Sequence, residues 1–512
     1  MSGDPAPALS PRIRPRRGPA RRHRDAILSR LGVRARTETS CSVLRVHRHD
    51  DGTQPGVSWD MADSQSNPSP PHFLRRIFKP LQKSAVVWVP GAVRDAQHVI
   101  TLCRALLSER GEVSGARLAI QVLDAYQTLD AAALEVFFDR LVEEFSPDPS
   151  RVEQAAGAYA ADPSQMNLVR LQTTVESPRQ ELFRRFNMAP GATAVLVQMR
   201  GRLLQSLSDH PERAGLDADL THLLRSWFNR GFLVLQRIDW RTSALVLERL
   251  IQYEAVHQIQ GWRDLRRRLA ADRRCYAFFH PALPDEPLVF IEVALTRGMA
   301  ARVQPLLDPD AIVADPAGTN CAVFYSITNC QEGLRGVSFG NFLIKQVAED
   351  LGTEFPRLRT FATLSPIPGF ADWLTGAGDS PVRTQVSPKL AQLIERLQQG
   401  DAVDLNAVDE ELRGTIRRLC AYYLLQAKRG KEPLDPVARF HLANGAQLAR
   451  LNWMGDTSQT GLKRSFGLTV NYVYRLADVE RNHEAYAKQF RVVASIEFRR
   501  LGREAEQFFK KL

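Results

Sequence analysis

The sequence predicts an α+β protein in which an N-terminal all-α helical bundle precedes a domain of mixed strands and helices. Three observations lead there. Between about residues 92 and 225 apolar residues recur at three and four, the spacing of a single helix face. After Trp227 the texture changes to short β-rich runs. Helical stretches separate those runs, the pattern of an α+β or α/β domain.

The chain opens on a head and linker, residues 1–71, read as disordered or targeting-like. Over residues 1–36 ten Arg face only Asp4 and Asp25, with Pro at 5, 7, 11, 15 and 19. That composition fits a mitochondrial presequence, a disordered tail, or translated sequence upstream of a start at Met61. The proline density disfavours an amphipathic helix. Residues 62–71, ADSQSNPSPP, form a polar linker.

Residues 72–228 form the predicted helical domain, suited to packing or oligomerisation. Asp130 caps a helix whose stripe is Leu134, Phe137, Phe138, Leu141, Val142 and Phe145. Ser177-Pro178-Arg179-Gln180 reads as a capping box with Pro at the first helical position. Further helices fit 114–126, 149–161 and 191–207. In residues 229–512, strands are expected at Gly231–Ile238, Cys275–His280, Pro287–Leu295, Cys321–Ile327, Leu358–Leu364 and Leu468–Tyr474. Helices are expected at Thr242–His257, Gly340–Leu351, Pro388–Gln398 and Ala407–Lys428.

Composition excludes several functions. The net charge is +11, which invites phosphate binding, but the first 60 residues hold twelve Arg and six acids and so carry more than half of it. Arg outnumbers Lys 58 to ten, a ratio read as coding bias, and no nucleic-acid partner is expected. No run approaches the ~18 apolar residues of a membrane span. Six scattered cysteines without a CxxC pair point to a reducing compartment. No HExxH occurs, and the histidines offer no metal site.

Three segments carry chemistry. Cys321–Leu351 reads as a strand, a polar loop with Gly333, Gly336 and Gly340, and a helix. Glycine-rich backbone entering a helix N-terminus makes an anion site suited to a pyrophosphate, and Arg335 adds a charge-assisted contact; turning glycines alone would give the same pattern. Inside it, Gly336-Val337-Ser338-Phe339-Gly340 matches G-x-S-x-G, but a nucleophile elbow needs a strand running directly into its serine, and Thr328–Arg335 intervene. In Leu358–Trp373, Ser365 sits at a strand end and Pro366 holds it extended; a proline-rich turn with an incidental serine fits equally. In Phe440–Tyr474, His441 precedes Asn444-Gly445 and Tyr474 closes a strand-like run; taken singly, His441 reads as a satisfied core histidine.

Together the strings YSITNCQEGLRGVSFGNFLIK, TLSPIPGFADWL and PVARFHLANGAQLARLNWMGDTS resemble the malonyl-CoA decarboxylase family, in its order. The resemblance runs from about residue 80 to 500. It implies a catalytic domain of the acetyltransferase (GNAT) type and a carboxy-lyase converting malonyl-CoA to acetyl-CoA and CO₂. It places the catalytic serine at Ser365 and the catalytic histidine at His441. Ser326 and Tyr474 are implied to contact substrate, and Arg335, Gly336, Val337, Ser338, Phe339, Gly340 and Asn341 to bind CoA. Ser338 stands where acetyltransferases have glycine. Losing CO₂ leaves electrons that the thioester carbonyl absorbs, so no external cofactor and no metal is expected. His441 is the expected proton donor, with Ser365 bonded to it and to the departing carboxylate. The alternatives are a GNAT-type acyl-CoA transferase and an acyl-CoA thioesterase. The resemblance further implies a homo-oligomer, dimer or tetramer. A cytoplasmic location is expected, with mitochondrial the alternative. The C-terminal Lys510-Lys511-Leu512 departs from a peroxisomal S-K-L signal.

Overall fold

The computed structural model describes residues 91–339, 343–375, 388–399 and 407–510, all within one compact unit spanning Val86–Leu512. The head and linker predicted for residues 1–71 lie outside the described residues, as do Gly340 and Asn341.

Eight helices come first: α1 (Gly91–Ser108), α2 (Glu112–Gln127), α3 (Ala131–Glu144), α4 (Pro149–Ala161), α5 (Gln165–Val175), α6 (Pro178–Phe186), α7 (Ala192–Ser206) and α8 (Ala214–Trp227). Asp130 caps α3 by accepting from Ala133 N–H, and Asp148 caps α4. Ser177 caps α6 through Arg179 N–H, but the predicted box does not close. Gln180 turns instead to Asp219, donating at 2.9 Å, because Asp219 already anchors the buried Arg179. Leu134, Phe137, Phe138 and Leu141 bury in a core of their own with α1, α2, α6 and α7.

The second half follows as β1 (Val234–Ile238), α9 (Ala244–Tyr253), α10 (Trp262–Arg268), β2 (Arg273–Phe279), β3 (Val289–Thr296), α11 (Gln304–Leu307), β4 (Cys321–Asn329), α12 (Leu343–Glu354), β5 (Thr360–Thr363), α13 (Phe370–Thr375), α14 (Pro388–Gln399), α15 (Glu410–Gln426), the short pair β6 (Lys428–Arg429) and β7 (Glu432–Pro433), α16 (Pro436–Ala443), β8 (Gln447–Asn452), α17 (Gln459–Ser465), β9 (Thr469–Val473), α18 (Val479–Gln489) and α19 (Ile496–Lys510). Seven strands make one sheet in the order β1-β2-β3-β4-β5-β9-β8. All neighbours are antiparallel except β4 and β5. This is the expected helical domain followed by a mixed sheet domain, with the expected strand, loop and helix (β4, Glu332–Phe339, α12) at its centre. The first strand starts three residues later than predicted, because Arg230–Phe232 forms a 3₁₀ turn capped by Asn229.

Two features of this sheet position the site. The parallel register of β4 and β5 ends at Phe324↔Thr363, closed by Leu364 N–H on Phe324 C=O at 2.9 Å. Beyond it β4 continues along β3 to Asn329 while β5 turns away at Pro366, so the strands part. A bulge in β4 at the Glu292/Val293 register shift re-aims the chain just there.

Arginines are also used inside. Arg213 is fully buried against Glu135 and Asp139. Arg268 bridges Asp264 and Glu292 at 3.0 and 2.8 Å, and Arg267 pairs with Asp272 at 2.6 Å. Buried cations need this pairing, since a lone one bears the full desolvation cost.

Candidate functional site

Where β4 and β5 part, a cavity of about 250 Å³ opens. One wall is β4 from Phe324 to Ile327 with Asn329; another is Leu364, Ser365 and Pro366; α16 closes it with Pro436, Val437, Phe440 and His441. Local sequence explains each wall. Ser365 N–H donates to Val470 C=O and its own carbonyl accepts from Val470 N–H, which bonds the β5 exit to β9 just before the proline. Asp435 caps α16 through Ala438 N–H, with Pro436 at the first position.

Ser365 and His441, 76 positions apart in sequence, meet at 3.0 Å between Oγ and Nε2. Both are buried. His441 Nδ1 lies 2.8 Å from the Tyr474 hydroxyl, and its ring stacks on Tyr472 at 4.4 Å. Ser365 Oγ donates to Thr363 Oγ1 at 2.8 Å, which also accepts from Tyr472 N–H. One assignment satisfies every group: Tyr474 O–H donates to Nδ1, Nε2–H donates to Ser365 Oγ, and Ser365 O–H donates onward. Burial holds the His441 imidazole down at about 3, which keeps it neutral at neutral pH. Tyr474, expected to contact substrate, stands behind His441 and is absent from the cavity wall; its hydroxyl is committed to the imidazole.

That depressed imidazole makes a pH prediction. In the unfolded chain His441 binds a proton near pH 6.5, while the folded state resists it until about 3. Between those values the unfolded state holds more protons, so this group's contribution is complete above about pH 6.5 and is lost as pH falls. His441→Asn removes the term. Relative to wild type, the variant is expected to gain stability as pH falls from about 6.5 to 4. Chemical unfolding of both proteins at several pH values measures the difference, in which the other buried groups cancel.

Ser326, on the opposite wall, is buried and donates to the Glu254 carboxylate at 2.7 and 2.9 Å. Glu254, missed by sequence reasoning, also accepts from Thr328 Oγ1 at 3.2 Å and from Val256 and His257 N–H. It follows the last residue of α9 and fixes the loop that brings Val256 to the cavity. With its proton committed to Glu254, Ser326 offers the cavity acceptor lone pairs.

The glycine loop is split by the structure. Gly333 belongs to packing: a Cβ there would lie 1.7 Å from the Val197 carbonyl oxygen of α7. Gly336 takes the left-handed backbone at φ +78°, which favours glycine. Val337 and Phe339 point into the core, so they offer a ligand main chain only. Arg335 is exposed and paired with Glu332 at 2.9 Å, and Ser338 is exposed. A 3₁₀ turn, Glu332–Leu334, separates β4 from Ser338, which is not the strand-to-serine geometry of a nucleophile elbow. Among the described residues, Asp139, His210 and Glu212 come close enough to share a cation; they lie on the helical domain, and Asp139 is held by Arg213.

Comparison with known proteins follows the same lines. A family model for the malonyl-CoA decarboxylase C-terminal domain matches residues 231–511, and one for the N-terminal domain of the same family matches residues 145–228. The solved malonyl-CoA decarboxylase from Rhodopseudomonas palustris is 48% identical, with TM-score 0.74, over 79% of this chain and 99% of that one. The corresponding Agrobacterium vitis structure is 46% identical with TM-score 0.72 over the same shares. Mitochondrial malonyl-CoA decarboxylase of the goose Anser anser anser is 34% identical over 76% of this chain and 83% of its own length.

Proposed function

The chain belongs to the malonyl-CoA decarboxylase family and is a carboxy-lyase, and from that premise we propose that malonyl-CoA loses CO₂ in the cavity between β4 and β5, with Ser365 and His441 protonating the resulting enolate. The single observation that carries this is the buried Ser365–His441 contact, 3.0 Å, opening on a cavity at the end of the parallel register.

The chemistry follows from the groups present. As the C–C bond to the carboxylate breaks, its electron pair moves into the thioester carbonyl, and main-chain amides of β4 beyond Phe324 that face away from β3 supply the preorganised dipoles. Ser365 then delivers its proton to carbon. His441, held by Tyr474 O–H on Nδ1, keeps its Nε2–H on Ser365 Oγ and stabilises the alkoxide, and water entering the vacated cavity returns the proton to Ser365. His441 thus acts as a neutral hydrogen-bond donor rather than an imidazolium acid, in keeping with its depressed basicity. Ser326 lines the wall beside the acyl group, its acceptor lone pairs suited to an N–H of the pantetheine arm, since the malonyl group carries no donor. The Arg335–Asn341 loop takes the CoA pyrophosphate at the start of α12. The carbonyl serves as the electron sink, so this sequence of steps calls on no external cofactor.

The expected result with malonyl-CoA as sole substrate in D₂O is acetyl-CoA carrying one deuterium, released with an equal amount of CO₂. Ser338→Ala is expected to keep decarboxylation rather than abolish it, because the exposed Ser338 hydroxyl is no nucleophile and the loop is read to meet CoA through its main chain. Release of free CoA that Ser338→Ala abolishes would transfer the activity to a thioesterase, and a requirement for an amine acceptor would make it an acyltransferase.

No described helix is long and apolar enough to cross a membrane. We place the enzyme in the cytoplasm; the mitochondrial alternative draws on the Arg-rich head and on the mitochondrial naming of the animal relatives. A homo-oligomer, dimer or tetramer, built through the helical domain would cover the exposed Met166 and Val169 of α5.

A further inference from the structure

The helical domain reaches the proposed CoA loop with two arginines and a close backbone contact. Arg200 of α7 is 3% exposed. Its Nε pairs with Asp217 of α8 at 2.8 Å, and one terminal nitrogen donates to both the Gly333 and the Arg335 carbonyls, at 2.7 and 2.8 Å. Arg225 of α8 donates to the Gly336 carbonyl at 3.3 Å. Beneath them the α7 backbone comes so near that only glycine fits at 333.

We propose that Arg200 is a positioning residue for CoA recognition: by holding the Gly333 and Arg335 carbonyls against the bundle, it sets the backbone that the pyrophosphate meets. A trans peptide carries its C=O and N–H on opposite sides. Fixing the Arg335 carbonyl on Arg200 therefore turns the Gly336 N–H outward from the bundle. Gly336, with its left-handed backbone, is the point where the chain leaves the bundle for Val337 and Phe339. A guanidinium suits this task because it is planar and permanently charged and donates in fixed directions. Asp217 keeps it in place, pairing with the Nε while the terminal nitrogen holds the loop carbonyls. The bundle is thereby part of the binding apparatus and not solely a packing module. The inference rests on the reading that the Arg335–Asn341 loop takes the pyrophosphate.

The test compares malonyl-CoA with malonyl-pantetheine, which carries the same reacting group without the nucleotide and its phosphates. The readout is the ratio of kcat/KM for the two substrates. A merely structural defect scales both and leaves the ratio alone. Arg200→Met is expected to lower the ratio roughly tenfold, as a lost charged hydrogen-bond pair does, through the KM for malonyl-CoA. Arg200→Lys is expected to recover only part, since an ammonium cannot reproduce the fork. Arg225→Ala, at an exposed position, is expected to lower the ratio about threefold and decides the matter if the buried variant does not fold. Ser338→Asp places a negative charge in the loop itself and is expected to lower the ratio whatever Arg200 does. If Ser338→Asp lowers the ratio while the arginine variants keep the wild-type value, the positioning role is wrong and the loop reading stands. If none changes it, the loop reading falls and takes the inference with it.

Discussion

Replacing His441 by asparagine is expected to lower kcat for CO₂ release roughly 10²–10⁴-fold, the range of a lost general acid–base group, while the affinity for CoA measured by calorimetry stays within about threefold. The imidazole links Ser365 to Tyr474, at 3.0 and 2.8 Å on its two nitrogens. Asparagine keeps polarity and fits the volume, but its shorter amide cannot donate to Ser365 Oγ while accepting from Tyr474 O–H. CoA affinity is spared because the loop at Arg335–Phe339 lies on a different element. A kcat within threefold of wild type would remove His441 from the chemistry. Loss of turnover together with loss of CoA affinity would mean that the substitution had disrupted the cavity rather than its chemistry.

The second large effect is expected at Gly445. It ends α16, the helix that carries His441, with φ +80°. Its N–H donates to Leu442 C=O, and the next residue's N–H returns to His441 C=O, both at 3.0 Å, the pattern of a glycine-terminated helix end. A Cβ here would lie 2.1 Å from the Val479 carbonyl oxygen, a backbone atom that cannot rotate aside. Gly445→Ala is expected to destabilise the protein by about 2–5 kcal/mol, from left-handed strain plus overpacking, read as a lowered urea midpoint. Turnover should fall with it, because α18 would have to move from α16. Gly430→Ala is the matched control: its φ is +64° but nothing lies within 4 Å, so about 1 kcal/mol of conformational strain remains. Equal losses in the two variants would show that the Val479 contact yields without cost.

Much of this architecture is legible in the sequence, and what escaped did so for particular reasons. The strands β2 to β5 and β9 read directly because each is an apolar run with clear ends. Strand β8 escaped: the register shift between Leu448 and Arg450 breaks the period of two, and Arg450 and Gln447 dilute its apolar character. Helix α16 is only eight residues long, too short for a periodic stripe, yet its signals were present in Asp435-Pro436 and Asn444-Gly445. The Ser365–His441 contact could not be read from spacing, since it depends on β5 and β9 being neighbours and on the helix before β8 folding over both. Glu254 gave no signal at all. Its role exists only because the end of α9 lands beside Ser326 and Thr328 of β4. Arg200 was equally silent, one arginine among many.

The arginine surplus bears on how freely this sequence drifts. Arginine outnumbers lysine 58 to ten, and Arg200, Arg213, Arg267 and Arg268 are each held inside by carboxylates or carbonyls in directions that a guanidinium alone can serve. A lineage whose codons moved toward lysine would be free to exchange the outer cations and bound to retain these.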